Sequence, residues 1–136
     1  MKIGSTLLAL AAALACCPAA YAGNQYFDGD VSLNLPGRGA AGGLNAARRS
    51  PDPRAEIGCA VKYGIPDSSY PYPGLKQVYV TCRAINSQGS LYCISVDPVV
   101  VDIARTISPS SFVAFSADAN GVCSRLMVDN SSSHLP

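Results

Sequence analysis

The stretch that decides the fold is QVYVTCRAINSQGSLYCISV, residues 77–96. Its first half places Val78, Val80 and Cys82 two residues apart, and its second half continues the alternation of apolar and polar side chains. Such alternation is typical of a strand with one buried face. The group Asn-Ser-Gln-Gly at residues 86–89, between the two halves, has the composition of a tight turn. The stretch therefore predicts a β-hairpin.

The sequence on either side of this hairpin continues in recognisable elements. Residues 57–63 alternate in the same way, which predicts a further strand. After the hairpin, Asp97 suits the N-cap of a helix and Pro98 its first position. Apolar residues follow at the spacing i, i+3, i+4 and i+7, and Pro109 ends the pattern. We expect one amphipathic helix there.

A second hairpin is predicted near the end of the chain. Residues 112–117 and 122–129 are strand-like, and Asn-Gly at residues 120–121 is a strong two-residue turn signal. With that turn, Phe115 lies opposite Leu126, so both strands bury the same side. The alternative interpretation of this region is a calcium-binding loop that begins at Asp118.

Together these elements predict the fold class and the domain organisation. We expect an α+β domain over residues 57–130, in the order β-β-β-α-β-β, with one helix packed on an antiparallel sheet of about five strands. A short tail follows at 131–136. Before the domain, an N-terminal arm at 23–56 contains a Gly/Ala/Pro-rich linker from residue 36 to 54. The stretch 26–35 could add a strand or stay loose.

The first 22 residues have the features of a secretory signal peptide. Lys2 precedes an apolar run, and the small-x-small pattern at 20–22 predicts cleavage after Ala22. We expect a secreted or periplasmic protein with no membrane span in the mature chain, because the apolar run is shorter than the roughly 20 residues that a spanning helix needs. A lipoprotein anchored at Cys16 is the alternative.

Export changes the interpretation of the cysteines. In an oxidising compartment Cys59, Cys82, Cys93 and Cys123 are expected to form two disulfides. The hairpin turn places Cys82 opposite Cys93, which favours a bond between them and another between Cys59 and Cys123. The pairing Cys59–Cys82 with Cys93–Cys123 stays open, since spacing does not fix connectivity. No Cys-x-x-Cys spacing supports a zinc site or another metal.

The segment from 64 to 76 is the main candidate for a binding site. It contains Tyr70 and Tyr72, and Pro71 and Pro73 stiffen the chain around them. Stiff aromatic loops between strands suit recognition, although the tyrosines could instead cover the sheet edge. We therefore expect a binding or surface-interaction domain whose partner is an extracellular or periplasmic protein or a glycan. An inhibitor of an extracellular hydrolase that uses the same loop is the alternative.

Other functional classes receive less support from the sequence. Ten basic and nine acidic side chains nearly cancel, whereas nucleic-acid binding requires a basic surface. The single histidine, His134, lies near the end of the chain, where a catalytic triad is hard to hold rigid. No acid–base or nucleophile arrangement can be assembled, so we expect neither an enzyme nor a cofactor.

A resemblance adds a prediction about origin. The pattern Cys82-x-Ala84, Gly89-x-Leu91-x-Cys93, Asp97-Pro98 and Asn120-Gly121-x-Cys123 resembles that of small exported bacterial proteins with four cysteines and no assigned function. It covers residues 82–128. The resemblance implies a bacterial source and a fold shared with those proteins, and it carries over no active site or ligand.

Overall fold

The computed structural model describes residues 30–65 and 76–131. These residues form seven strands and two helices. In chain order they are β1 Ser32–Asn34, β2 Gly39–Gly43, α1 Leu44–Arg49, β3 Glu56–Gly64, β4 Gln77–Asn86, β5 Gly89–Ser95, α2 Pro98–Arg105, β6 Phe112–Ala117 and β7 Cys123–Asp129. The class is α+β, as predicted.

The strands form two antiparallel sheets, not the single sheet of about five strands that we expected. One sheet has the order β1-β2-β6-β7, and the other has the order β3-β4-β5. The order β-β-β-α-β-β is correct for the second half of the chain, but β6 pairs with β2 and not with β5. The chain therefore changes sheets as it passes through α2.

Strand β2, the partner of β6, lies in the segment that was predicted to be a linker. The domain prediction is therefore corrected. Residues 39–49 form β2 and α1, and Ala40 and Ala47 are buried in the core. The sequence signal of β2 is hidden because Gly-Ala-Ala-Gly-Gly contains no large apolar side chain. Small residues are needed here: a Cβ on Gly42 would lie 3.2 Å from the Cα of Val31. The folded unit consequently starts well before residue 57.

Both predicted hairpins and the helix start are confirmed, but the second hairpin has a longer turn from Asp118 to Val122 in place of the predicted two-residue Asn-Gly turn. Cys82 lies opposite Cys93 in the β4–β5 ladder, and Phe115 lies opposite Leu126 in the β6–β7 ladder. The carboxylate of Asp97 accepts a hydrogen bond from the Val99 N–H at 2.8 Å and caps α2. These local predictions depend on residues close in sequence, which explains their success.

The core lies where the sheets and α2 meet. The largest of its fully buried side chains are Phe115, Ile94, Val80, Val113, Cys82, Cys93 and Ser111. The sheets are also joined directly, because Ile94 of β5 forms a parallel bridge with Val122 and its N–H donates to the Gly121 carbonyl at 3.0 Å. At the opposite end of β5, the Asn86 side-chain amide donates to the Val31 carbonyl at 2.9 Å.

Candidate functional site

The candidate site is the far end of the β3–β4 ribbon. The two strands pair from Glu56↔Ile85 to Gly64↔Gln77, a ladder of nine residue pairs. Apolar side chains alternate along one face of the ribbon, as the sequence predicted. Near its start this face packs into the core, where Ile57 is 6% exposed and Ala84, opposite it, is completely buried.

Toward the other end the same face becomes exposed. Val61 is 37% exposed, Tyr63 75% and Val78 36%, and Ile65, which directly follows β3, is 55% exposed. We call these four residues the hairpin-end patch. They are half of the eight large apolar side chains that the described residues leave exposed. Since single exposed apolar residues are ordinary but a contiguous group is not, the patch is the strongest indication of an interaction surface here.

A disulfide fixes the ribbon just inside the patch. Cys59 and Cys82 are directly opposite in the β3–β4 ladder and bonded to each other, with their Cα atoms 4.0 Å apart. The bond ties the two strands together two residues before Val61. The exposed end of the ribbon is therefore held by both the ladder and a covalent link.

The disulfide connectivity corrects the pairing that the sequence favoured. The structure contains Cys59–Cys82 and Cys93–Cys123, the pairing that stayed open. Cys82 has a cysteine opposite it on both neighbouring strands. In an antiparallel sheet a residue of a central strand makes its close, non-hydrogen-bonded pair with only one neighbour. The short Cα distance indicates that this close neighbour is Cys59.

The second disulfide lies beside the first and joins the two sheets. Cys93 belongs to β5 and Cys123 to β7, with their Cα atoms 5.0 Å apart. The Sγ atoms of Cys82, Cys93 and Cys123 lie within 4.8 Å of one another. Because all three sulfurs are oxidised, none is present as the thiolate that binds a metal ion.

The residues proposed for binding from the sequence, Tyr70, Tyr72, Pro71 and Pro73, lie outside the described residues. The structure does place the two ends of their segment. Gly64 and Gln77 form the last pair of the ladder, so the segment leaves from and returns to the hairpin-end patch. The patch itself was missed because alternation from 57 to 63 predicts a buried face throughout, and only the three-dimensional position of the core shows where burial stops.

The other polar clusters are explained by local structure. The carboxylate of Asp118 accepts hydrogen bonds from the N–H groups of Asn120 and Val122, both at 2.8 Å. The residues of the calcium-loop interpretation thus form the turn of the β6–β7 hairpin. Asp118 stabilises this turn with its own side chain, as aspartates in turns commonly do.

Asp52 has a similar structural role between α1 and β3. One carboxylate oxygen accepts from the Arg54 N–H at 2.9 Å, and the other accepts from the Ser87 N–H. The hydrogen bond from the Arg54 backbone is the main cause that lowers the pKa of Asp52, and the bond from Ser87 acts in the same direction. The ionised carboxylate therefore links the segment before β3 to the β4–β5 turn.

Comparisons with known proteins leave the function to be argued from this geometry. No protein-family model matches the chain, and neither a curated protein nor a solved structure is significantly similar to it. The bacterial origin implied by the resemblance stays a prediction. Among the described residues, neither helix has the length and hydrophobicity to span a bilayer. The two disulfides are compatible with an extracellular location.

Proposed function

We propose that this protein is an exported binding module whose hairpin-end patch contacts a protein partner. The observation that carries the proposal is the exposure of Val61, Tyr63 and Val78 on one face of the ribbon and of Ile65 directly after β3. Aliphatic and aromatic side chains grouped in this way are typical of the centre of a protein interface, where burying them provides most of the affinity. Three aliphatic residues beside one tyrosine favour a protein over a glycan as the partner.

Rigidity supports the same proposal. The ribbon is held by nine pairs and by Cys59–Cys82, so the patch loses little conformational freedom when a partner binds. The ends of the segment with Tyr70 and Tyr72 are fixed at Gly64 and Gln77, which would let both tyrosines extend the same surface.

The inhibitor function is a second candidate, and the same anchoring favours it. The two ends of the segment are held next to each other by the last pair of the β3–β4 ladder. A segment anchored in this way suits insertion into the active-site cleft of an extracellular hydrolase. In that case the partner would be an enzyme, and the segment from 64 to 76 would make the principal contact.

The test compares a double variant in the patch with a double variant at exposed apolar positions elsewhere. Tyr63→Ala with Ile65→Ala removes the centre of the patch, whereas Val99→Ala with Met127→Ala removes apolar side chains exposed elsewhere, at 66% and 40%. A photo-crosslinking residue is placed at position 76, an exposed position two residues before Val78, in the wild type and in both variants. Each protein is incubated with the envelope and secreted proteins of the source organism, and the products are identified by mass spectrometry.

We expect the wild type and the control to give the same crosslinked protein and the patch variant to lose it, with thermal unfolding nearly unchanged because exposed truncations have small effects. Equal crosslinking by all three proteins would contradict the proposal. If the identified partner is a hydrolase, loss of its activity on adding the wild type, but not Tyr70→Ala with Tyr72→Ala, would favour the inhibitor function.

A further inference from the structure

Among the described residues, strand β3 is an edge of its sheet with no strand paired to its outer side. In the order β3-β4-β5 it has a neighbour on one side only. None of the backbone hydrogen bonds that the described residues make outside their ladders involves Glu56–Gly64. This is a long edge, since β3 is one of the two longest strands among the described residues. Such an edge presents a row of N–H and C=O groups to any strand that can pair with it.

The Cys59–Cys82 pair shows which groups face outward. A Cα separation of 4.0 Å is close to the roughly 4.5 Å of a non-hydrogen-bonded pair and well below the roughly 5.5 Å of a hydrogen-bonded pair. The N–H and C=O of Cys59 therefore point away from β4. Because hydrogen-bonded and non-hydrogen-bonded pairs alternate, the same holds for Ile57, Val61 and Tyr63.

The side chains on the solvent face of β3 are Glu56, Gly58, Ala60 and Lys62. Glu56 lies three residues before Cys59 and Lys62 three residues after it, so the charges along the strand are symmetric about Cys59. Glu56 also forms an exposed ion pair with Arg83 of β4 at 3.7 Å, and solvent weakens that pair enough for Glu56 to accept a second cation. The two positions between are small, and a Cβ on Gly58 would have no atom within 4 Å. The edge is consequently complementary to an antiparallel copy of itself.

We propose that a second copy of this chain pairs edge to edge with β3, with Cys59 opposite the partner subunit's Cys59. In this register Glu56 lies opposite the partner subunit's Lys62, and two-fold symmetry repeats the pair. The outward-facing groups of Ile57, Cys59 and Val61 then meet in hydrogen-bonded pairs. Moving to the next hydrogen-bonded register in either direction removes both charge pairs, so charge selects this one.

The resulting assembly is closed. Two three-stranded sheets become one six-stranded sheet in which both β3 edges are used. The contact is isologous, so the same β3 edge of each copy is used once and no β3 edge is left to add a third copy. Pairing therefore stops at a dimer and does not grow into a fibre. This inference goes beyond the proposed function, because Glu56 and Lys62 lie on the face opposite the hairpin-end patch.

The experiment uses charge reversal at the two ends of the interface. The protein is expressed from its complete sequence, purified with its disulfides intact and examined by sedimentation equilibrium. Lys62→Glu places like charges opposite each other at both symmetric positions, and Glu56→Lys does the same with the opposite sign. Each variant should raise the dimer dissociation constant about tenfold or more. Arg125→Glu, an equal charge change at an exposed position of β7, should leave it unchanged.

Mixing the two charge-reversal variants distinguishes an effect on the interface from an effect on folding. Lys62→Glu protein and Glu56→Lys protein carry complementary edges, so an equimolar mixture should form a heterodimer at concentrations where each variant alone is monomeric. A wild type that is monomeric at about 1 mM would overturn the proposal and leave the edge open to a strand of another protein. A dimer that Lys62→Glu weakens no more than Arg125→Glu does, or a mixture that stays monomeric, would overturn it as well.

Discussion

Removing the Cys93–Cys123 disulfide should destabilise this protein more than removing Cys59–Cys82. The chain-entropy model assigns similar contributions to the two bonds: about 3.7 kcal/mol for the sequence separation of 30 and about 3.5 kcal/mol for the separation of 23. Loop length alone therefore predicts nearly the same loss of unfolding free energy for the two double variants. One variant is Cys93→Ala with Cys123→Ala, and the other is Cys59→Ala with Cys82→Ala. The position of each bond in the fold provides the difference.

Cys59–Cys82 lies within a ladder of nine pairs, so its strands stay aligned when the bond is lost. Cys93–Cys123 joins strands of different sheets, next to the bridge between Ile94 and Val122. Both of its cysteines are buried, at 0% and 5% exposed, whereas in the other bond Cys82 is completely buried and Cys59 is only half-buried. Truncation to alanine thus removes two packed sulfur atoms, which adds about 1 kcal/mol to the loss.

We expect Cys93→Ala with Cys123→Ala to lower the free energy of unfolding by about 4–5 kcal/mol, a large part of the 5–15 kcal/mol typical of a domain. The melting temperature should fall by about 15 °C or more. Urea unfolding of both double variants without reductant, followed by circular dichroism, measures the difference. The reasoning would be refuted by a loss below about 1 kcal/mol for Cys93→Ala with Cys123→Ala, or by a larger loss for Cys59→Ala with Cys82→Ala.

Two further predictions concern the polar groups that fasten the β4–β5 turn. Asn86→Ala removes the donor to the buried Val31 carbonyl and should cost about 2–3 kcal/mol in urea unfolding; a loss below about 0.5 kcal/mol would show that this contact contributes nothing. The pKa of Asp52 is lowered in the folded state, chiefly by the Arg54 N–H, so its contribution to stability is present above its ordinary pKa and is lost as the pH falls through the lower folded value. Between pH 5 and pH 2 the wild type should therefore lose more stability than Asp52→Asn, and equal slopes would contradict the assigned hydrogen bonds.

Several elements could be predicted because their signals are local. The turn at 86–89 fixes the register of β4 and β5, so the predicted pair Cys82↔Cys93 is confirmed. The predicted pair Phe115↔Leu126 is also confirmed, although a bulge after Ser116 and a longer turn replace the two-residue Asn-Gly turn from which it was predicted. The start of α2 was equally accessible, because an N-cap is formed by a residue and its immediate successors.

Other features depend on contacts between distant parts of the chain. β2 has a nearly featureless sequence, and it is a strand because β6 pairs with it: Gly39 lies opposite Ser116 and Gly43 opposite Phe112. The favoured disulfide pairing failed for a related reason. Cys82 has a cysteine on each side, and the choice between them depends on which neighbouring strand makes the close pair, a property of the assembled sheet.

The hairpin-end patch likewise combines a feature that local sequence predicts with one that depends on contacts between distant residues. The sequence by itself determined that residues 57–63 form a strand with one apolar face, because side chains alternate sides along any strand. Only the tertiary structure decided that Ile57 is buried and Tyr63 is 75% exposed. The physical reason is that periodicity specifies which side chains share a face, whereas burial depends on whether other elements extend far enough to cover that face.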